Sequence, residues 1–357
     1  MSGGSASYGQ LAPGSVFPLR RLGQSEVFST AFAIIRLSPR ATLGLPFLTA
    51  LLSFFFTLIL ALIWPSAAVI QLSGGAAADE EYLTDLLADG WLIVWTLLTG
   101  AVSQLLLLTV LSLMVIPAMR ATLGLRTNLW NTLRLRSSRL GWLVLHIVLL
   151  VLLAGVVGVV SLGVALLVSV LTLFIGLIVV IPALFLLLCW LTAAFMYGPM
   201  TILVERENAF SALGRSWRLN RGRWWRNIGT VALLYLMITI VITVASLPLG
   251  LFTGLGQALA WDAADPQNGN WVSFAVFAVG QLYSAVLSAL SVGLIGVIIS
   301  VMYFNARVRQ EALDVALTAA TISPNALHDS AEVPQEEAET LVPGSAEHLG
   351  RFYAAAR

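Results

Sequence analysis

The sequence predicts an all-α polytopic membrane protein: six transmembrane helices, plus amphipathic helices lying in the membrane interface. Three observations predict it. Of 357 residues, 59% are hydrophobic and 10% charged, where soluble domains carry about 25% charged residues. Several uncharged runs exceed the roughly 20 residues that a helix needs to cross the hydrocarbon core. Finally, the arginines gather in some of the segments between these runs and avoid the others, which is how membrane proteins encode orientation.

Residues 1–24 are rich in Gly, Ser and Pro, lack the apolar core of a cleavable signal, and read as a disordered N-terminal segment. Ser25 is the expected N-cap of a short amphipathic helix with Phe28, Ala31, Phe32 and Ile35 on one stripe, closed by Pro39. Between Arg40 and Asp79 lie 38 uncharged residues, placing a first span near 43–64. The acidic stretch from Asp79 to Asp89 follows, with no base. A second span fits 92–116, inside 30 uncharged residues. Arg120, Arg126, Arg134, Arg136 and Arg139 come next without an acid. The 65 uncharged residues from there to Glu205 hold two crossings, near 142–168 and 175–197. A third crossing there would put two arginine clusters on opposite sides of the membrane. The fifth span fits 229–252 and the sixth 271–304, with Asp262 and Asp265 between them. A polar helix to about 321 and a Pro/Glu-rich tail, 322–357, expected to be disordered, complete the chain.

The segments before span one, between two and three, between four and five, and after six hold 17 of 19 arginines, and the tail holds the other two. The loops after spans one and five hold seven acids and no arginine. The expected arrangement is therefore a six-span domain over 25–321 with both termini in the cytoplasm. All basic residues are Arg, a composition typical of a GC-rich bacterial genome, and the expected location is the bacterial plasma membrane.

The most charged stretch, Tyr197 to Asn227, carries Arg206, Arg215, Arg218, Arg221, Arg223 and Arg226 beside Trp217, Trp224 and Trp225. Asn208 is its expected helix cap and Gly222 its stop. On a helix, Phe210, Leu213 and Trp217 share a stripe, with Ser211, Arg215 and Arg218 off it: a helix lying in the membrane surface. Phe28…Arg36-Leu37 and Phe210…Arg218-Leu219 have the same spacing. With a looser middle copy around Thr127, Trp130 and Arg136, this is compatible with a threefold repeat of surface helix and helical hairpin.

Three segments, FPLRRLGQSEVFSTAFAIIRLSPRATLGL at 17–45, ILVERENAFSALGRSWRLNRGRWWRNIG at 202–229 and VMYFNARVRQEALDVAL at 301–317, resemble the glycerophosphoryl diester phosphodiesterase membrane-domain family. The likeness is to its stand-alone actinobacterial members, and spans about 17–320. The chain departs from the pattern at Asn305, where Asp is expected, and at Ala312, where Gly is expected. No phosphodiesterase barrel is present in the sequence, so the resemblance implies a membrane module rather than the enzyme activity.

Candidate sites follow from these features. Arg215, Arg218, Arg221, Arg223 and Arg226 with Trp217, Trp224 and Trp225 form a candidate site for anionic lipid headgroups, since the guanidinium fork suits phosphate. The competing reading is plain positive-inside anchoring with an aromatic belt. Glu205 and Glu207 are expected partners for these arginines. Gln104, His146 and Gln281 form a candidate intramembrane polar site, with helix-to-helix hydrogen bonding as the competing reading. No Asp, Glu or Arg lies centrally in a span, which counts against an ion-coupled pump. Ala285, Ala289 and Gly293, and Ala154 with Gly158, are small-residue ladders expected to mark close helix packing, with homodimerisation a second reading. The sequence shows no phosphate loop, nucleophile elbow or metal-ligand cluster, and its single Cys189 excludes a disulfide framework within one chain.

The expected protein is thus non-catalytic and binds no cofactor, metal or nucleic acid. Its partners are anionic membrane lipids, and it serves as a scaffold or accessory in envelope-lipid handling. The alternative is a small-molecule or lipid transporter or channel.

Overall fold

Hydropathy periodicity and the spacing of Gly and Pro divide the chain into helices. The computed structural model describes residues 21–63, 90–135, 137–172, 175–261, 266–315, 317 and 342–345. The acidic stretch 79–89, Asp262, Asp265, residues 1–20 and most of the tail lie outside the described residues. The helices are α1 Gln24–Leu37, α2 Pro39–Thr42, α3 Gly44–Ile63, α4 Gly90–Leu113, α5 Val115–Arg120, α6 Leu129–Leu135, α7 Leu140–Leu171, α8 Leu177–Phe195, α9 Gly198–Glu205, α10 Ala209–Asn220, α11 Trp224–Trp261 and α12 Pro266–Glu311. Short 3-10 turns at Ala121–Leu123 and Ser137–Arg139 precede α6 and α7. Among the described residues there is no strand, and six helices are long and apolar enough to cross a membrane.

Contacts divide the chain into two compact units. One comprises 1–42, 111–233 and 294–357, and the other 43–110 and 234–293. Every described arginine falls in the first unit and none in the second. Contacts and charge therefore cut the chain at the same places, although neither determines the other.

The arginine-bearing unit has a dense core that includes Ile34, Met114, Ile116, Met119, Leu143, Ile147 and Phe304. α9 packs on α10 and α7, and α10 packs on α7 and α8. Beyond that core, α7 and α8 form a hairpin closed at Thr172, whose hydroxyl donates to the Val168 carbonyl (2.6 Å) and accepts the Gly176 N–H (2.8 Å). Val159, Val160, Ile178 and Val179 are exposed on it, the behaviour of a helix that is apolar all round because its solvent is lipid. The ladder at Ala154 and Gly158 lies in this exposed part. A Cβ at Gly158 would meet nothing within 4 Å, so the expected close approach does not occur within the chain. The tight approach is at Gly296 on α12, where a Cβ would sit 2.6 Å from Met114 Cγ and 3.0 Å from the Leu111 carbonyl.

Other local expectations shift for physical reasons. Gly23, not Ser25, caps α1, its N–H donating to the Glu26 carboxylate (2.8 Å). The buried face of α1 is Val27, Thr30, Ala31 and Ile34, while Phe32 is 46% exposed. Thr127 is a buried tie rather than a cap: its N–H donates to Ser38 Oγ (3.1 Å) and its hydroxyl accepts from Arg120 Nε (3.0 Å). Gly222, with φ of +79°, ends α10 as the sequence implies. Ala312, where the resemblance implies Gly, ends α12 with φ of +51°, a left-handed conformation that a side chain disfavours. Within the segment read as a disordered tail, Val342–Ser345 are described and form a buried turn. The Gly344 carbonyl accepts Arg307 Nη1 at 2.9 Å.

Candidate functional site

α10 is the helix around which the arginine-bearing unit is arranged. Its cap is Asn208, whose N–H donates to Ser211 Oγ (3.0 Å), and that hydroxyl also donates to Glu207 (2.6 Å). The helix has three faces rather than two. Phe210, 65% exposed, points outward, as a membrane-surface stripe would, while Trp217 on the same side is half-buried against rings of α8 and the start of α11. Arg218 is exposed on a second face. The third, Ala209, Ala212, Ser216, Leu219 and Asn220, is buried in protein. Ser216 Oγ (2.7 Å) and Asn220 Nδ2 (3.3 Å) both donate to the Ala194 carbonyl at the end of α8. The spaced copy in α1 follows the same pattern: Val27, Thr30, Ile34 and Ser38 are buried where their counterparts Ala209, Ala212, Ser216 and Asn220 are.

The arginine-rich stretch separates into distinct environments. Arg215 sits in an ion network. Its Nε donates to Glu205 Oε2 (2.7 Å) and its Nη2 pairs with Glu311 Oε1. Arg307 Nε meets Glu311 Oε2 (3.1 Å) and Glu205 Oε1 (3.7 Å), and the Tyr303 hydroxyl donates to Glu205 Oε1 (2.6 Å). Two cations face two anions, so the cluster is balanced. Burial opposes the Arg215 charge, but the bond to Glu205 and the charges of Glu205 and Glu311 outweigh it and raise its pKa. Glu205 thus partners arginine as expected, whereas Glu207 serves the helix cap.

The tryptophans separate likewise. Trp224 stacks on Trp190 (4.9 Å between centroids), and Trp217 meets both edge-on at 4.9 and 5.2 Å. This aromatic cluster clamps α8, α10 and the start of α11 together. Trp225 stands outside it, 74% exposed.

Arg223 and Arg226 line a recess of about 30 Å³ with Gly23, Gln24, Asn227, Thr230 and Asn305. Among the described residues no carboxylate lines it. Arg21 and Arg309 add their charge here: burial first, then the cations of Arg226 and Arg21, lower the Arg223 pKa. The rim is held from α12. Asn305 accepts the Leu22 N–H (3.1 Å) and donates to the Leu22 carbonyl (3.2 Å), a two-way bond that a carboxamide can make and a carboxylate cannot. Arg309 donates to the same carbonyl (2.6 Å) and to Asn305 Oδ1 (3.0 Å). Arg221 is exposed. The sequence reading missed Arg21, Asn305 and Arg309 as neighbours of this site, because they come from the two ends of the chain.

The three residues of the candidate intramembrane site are not one site. His146 is buried in the arginine-bearing unit, Nδ1 against the Ala209 carbonyl (2.8 Å), with Nε2 unpartnered beside Gly198. Gln104 and Gln281 both line a cleft of about 300 Å³ within the second unit. Thr49, Ser53 and Thr57 of α3, Ser103 of α4, and Ser284 and Ser288 of α12 complete its polar lining, with Phe54, Ala285 and Ala289 among the apolar walls.

Over residues 26–306 the sequence matches the family described as "Domain of unknown function (DUF7847)". The chain belongs to this family. No curated protein and no solved structure matches it. The DUF7847 region takes in the cleft, the aromatic cluster, Arg223 and Arg226. It ends just before Arg307, Arg309 and Glu311, so each arginine-centred site is completed by residues beyond it. Among the described residues no group of three or more His, Cys, Asp or Glu is placed to hold a metal.

Proposed function

We propose that this DUF7847 protein is a non-catalytic, multi-pass protein of a bacterial plasma membrane. Its arginine-bearing side faces the cytoplasm and engages phosphate-bearing anionic lipid headgroups, in a scaffold or accessory role in envelope-lipid handling. One observation carries the reading: Arg21, Arg223, Arg226 and Arg309 share one neighbourhood, and among the described residues no carboxylate lines the recess beside Arg223 and Arg226. Cations that outnumber the anions around them raise each other's energy, and a phosphate held at the mouth of the recess relieves it. Arg215 leaves the proposed headgroup set because its charge is already matched, and Trp217 and Trp224 leave it because their rings pack on Trp190. Arg218, Arg221 and Trp225 remain exposed and belong to its outer rim. The sequence resemblance to the glycerophosphoryl diester phosphodiesterase membrane domain supports a lipid-linked role.

The test is native mass spectrometry of the full chain released from nanodiscs of mixed phosphatidylglycerol and phosphatidylcholine. Each charge-assisted hydrogen bond to phosphate contributes about 1.5 kcal/mol, so Arg223→Gln with Arg226→Gln should weaken phosphatidylglycerol retention by at least roughly 100-fold. Arg134→Gln with Arg139→Gln removes the same charge elsewhere and should cost only the general attraction of surface arginines, at most about 1 kcal/mol each, a clearly smaller loss. Equal losses in both pairs would reduce the arginines to simple anchors.

The cleft containing Gln104 and Gln281 favours a second reading, a transporter or channel for a small molecule or lipid. Uptake by proteoliposomes of the full chain tests it.

A further inference from the structure

The cleft in the second unit contains an unusual concentration of uncharged polar groups for a membrane-spanning region. Each of three helices contributes a short stripe: positions 49, 53 and 57 recur at one face of α3, 103 and 104 are adjacent on α4, and 281, 284 and 288 recur on α12. Their chemistry is uniform, six hydroxyls and two carboxamides, without one ionisable side chain in the lining among the described residues. A coupling-ion site would need a charge, and an apolar lipid tail would leave these groups unpaired at a cost.

A carboxamide in a membrane helix ordinarily bonds to a neighbouring helix. Here that does not happen. The Thr49 hydroxyl bonds to the carbonyls of its own helix (2.8 Å to Pro46). Among the described residues, neither the Gln104 nor the Gln281 carboxamide has a hydrogen-bond partner in the protein, and Gln104 and Ser284 are exposed to the space. Donors and acceptors in a lipid environment need an occupant that satisfies both. The volume, about 300 Å³, is at the small end of ligand pockets.

We infer that this cleft binds a neutral polyhydroxyl group, either of a free polyol or sugar or of an uncharged glycolipid headgroup. Two carboxamides offer paired donor and acceptor positions. The hydroxyls of α3 and α12 supply the remaining contacts, and the Phe54 ring gives a wall for the C–H face of a sugar. The inference deepens the transport reading by naming a solute class, but binding without translocation satisfies it. Failed uptake alone therefore refutes the transporter and leaves the site standing, and neither result bears on the arginine recess.

The test uses the full chain in phosphatidylcholine nanodiscs, with Cys189→Ala removing the single native thiol. Ser284→Cys places a thiol in the cleft by a near-isosteric change, and Val286→Cys places one on an exposed part of the same helix outside the cleft lining. A water-soluble methanethiosulfonate reagent reacts with the thiolate, which forms only where water reaches. The expected result is labelling at least tenfold faster at 284 than at 286. Labelling at 284 should slow in the presence of glycerol, myo-inositol or glucose, or when the nanodiscs contain a monoglucosyl diacylglycerol. Protection by free polyols identifies a soluble ligand, and protection by the glycolipid alone a lipid headgroup. Gln104→Leu with Gln281→Leu, in the Ser284→Cys background, should abolish the protection while the cysteine still labels. Equal slow labelling at both positions, absence of protection by every probe, or protection unchanged in the double leucine variant would each overturn the inference.

Discussion

Glu205 is the position where a single atom change should have the largest consequence. Glu205→Gln keeps the side-chain shape and an acceptor for the Tyr303 hydroxyl, but it turns a balanced set of two arginines and two glutamates into one with an uncompensated positive charge. Removing one partner of a buried ion pair costs about 3–5 kcal/mol, and a hydrogen bond to a charged group about 1.5–3 kcal/mol. The four side chains are 6–27% exposed, so solvent screens part of the effect. The expectation falls at the lower end, about 3 kcal/mol. Glu207→Gln, which changes one exposed contact with Ser211, should stay within about 0.5 kcal/mol. Denaturant unfolding of the purified chain in detergent micelles, followed by tryptophan fluorescence, measures both. Combining Glu205→Gln with Arg215→Gln completes a double-mutant cycle, in which the second change should cost much less than it does alone, by about 1–3 kcal/mol. A Glu205→Gln cost below about 0.5 kcal/mol, or strictly additive losses, would refute the view that this network holds α9, α10 and α12 together.

Other substitutions probe separate features. Ala312→Gly should stabilise by about 0.5–1 kcal/mol in the same unfolding assay, because relief of a left-handed alanine exceeds the entropy that glycine adds to the unfolded chain. Gly198→Ala should destabilise by about 1–3 kcal/mol, since its Cβ would lie 2.3 Å from His146 Nε2. His146→Ala in that background should recover much of the loss, and no recovery would point to another clash. Trp190→Ala should cost about 1–3 kcal/mol by breaking two ring contacts, whereas Trp225→Ala should leave stability within about 0.5 kcal/mol.

The candidate sites were legible in part. The sequence marks Arg223, Arg226, Gln104 and Gln281 as residues of interest, and the structure places each beside a recess or cleft. It does not separate Arg215 from Arg223, because residues so close in sequence differ only in what the rest of the chain brings to them: Glu311 and Arg307 in one case, Arg21 and Arg309 in the other. The hydroxyls of the cleft escape notice for a different reason. Single Ser and Thr residues in a span bond to their own helix as a rule, so their convergence is visible only once three helices are in register.

The sequence by itself determined the class, the six crossings and the partition of arginine, since the free energy of placing a segment in lipid depends on its own residues and on charges near its ends. It located spans to within a few residues, as at Gly44–Ile63 and Leu177–Phe195. Only the tertiary structure decided which way each surface helix turns. On α1 and α10 the aromatic stripes of Phe32 and Phe210 face outward, and the small residues around Ala31 and Ala212 face the protein. In water an apolar stripe has one place to go. Beside a membrane it has two, lipid and protein interior, and close packing of small side chains with paired polar groups settles the choice.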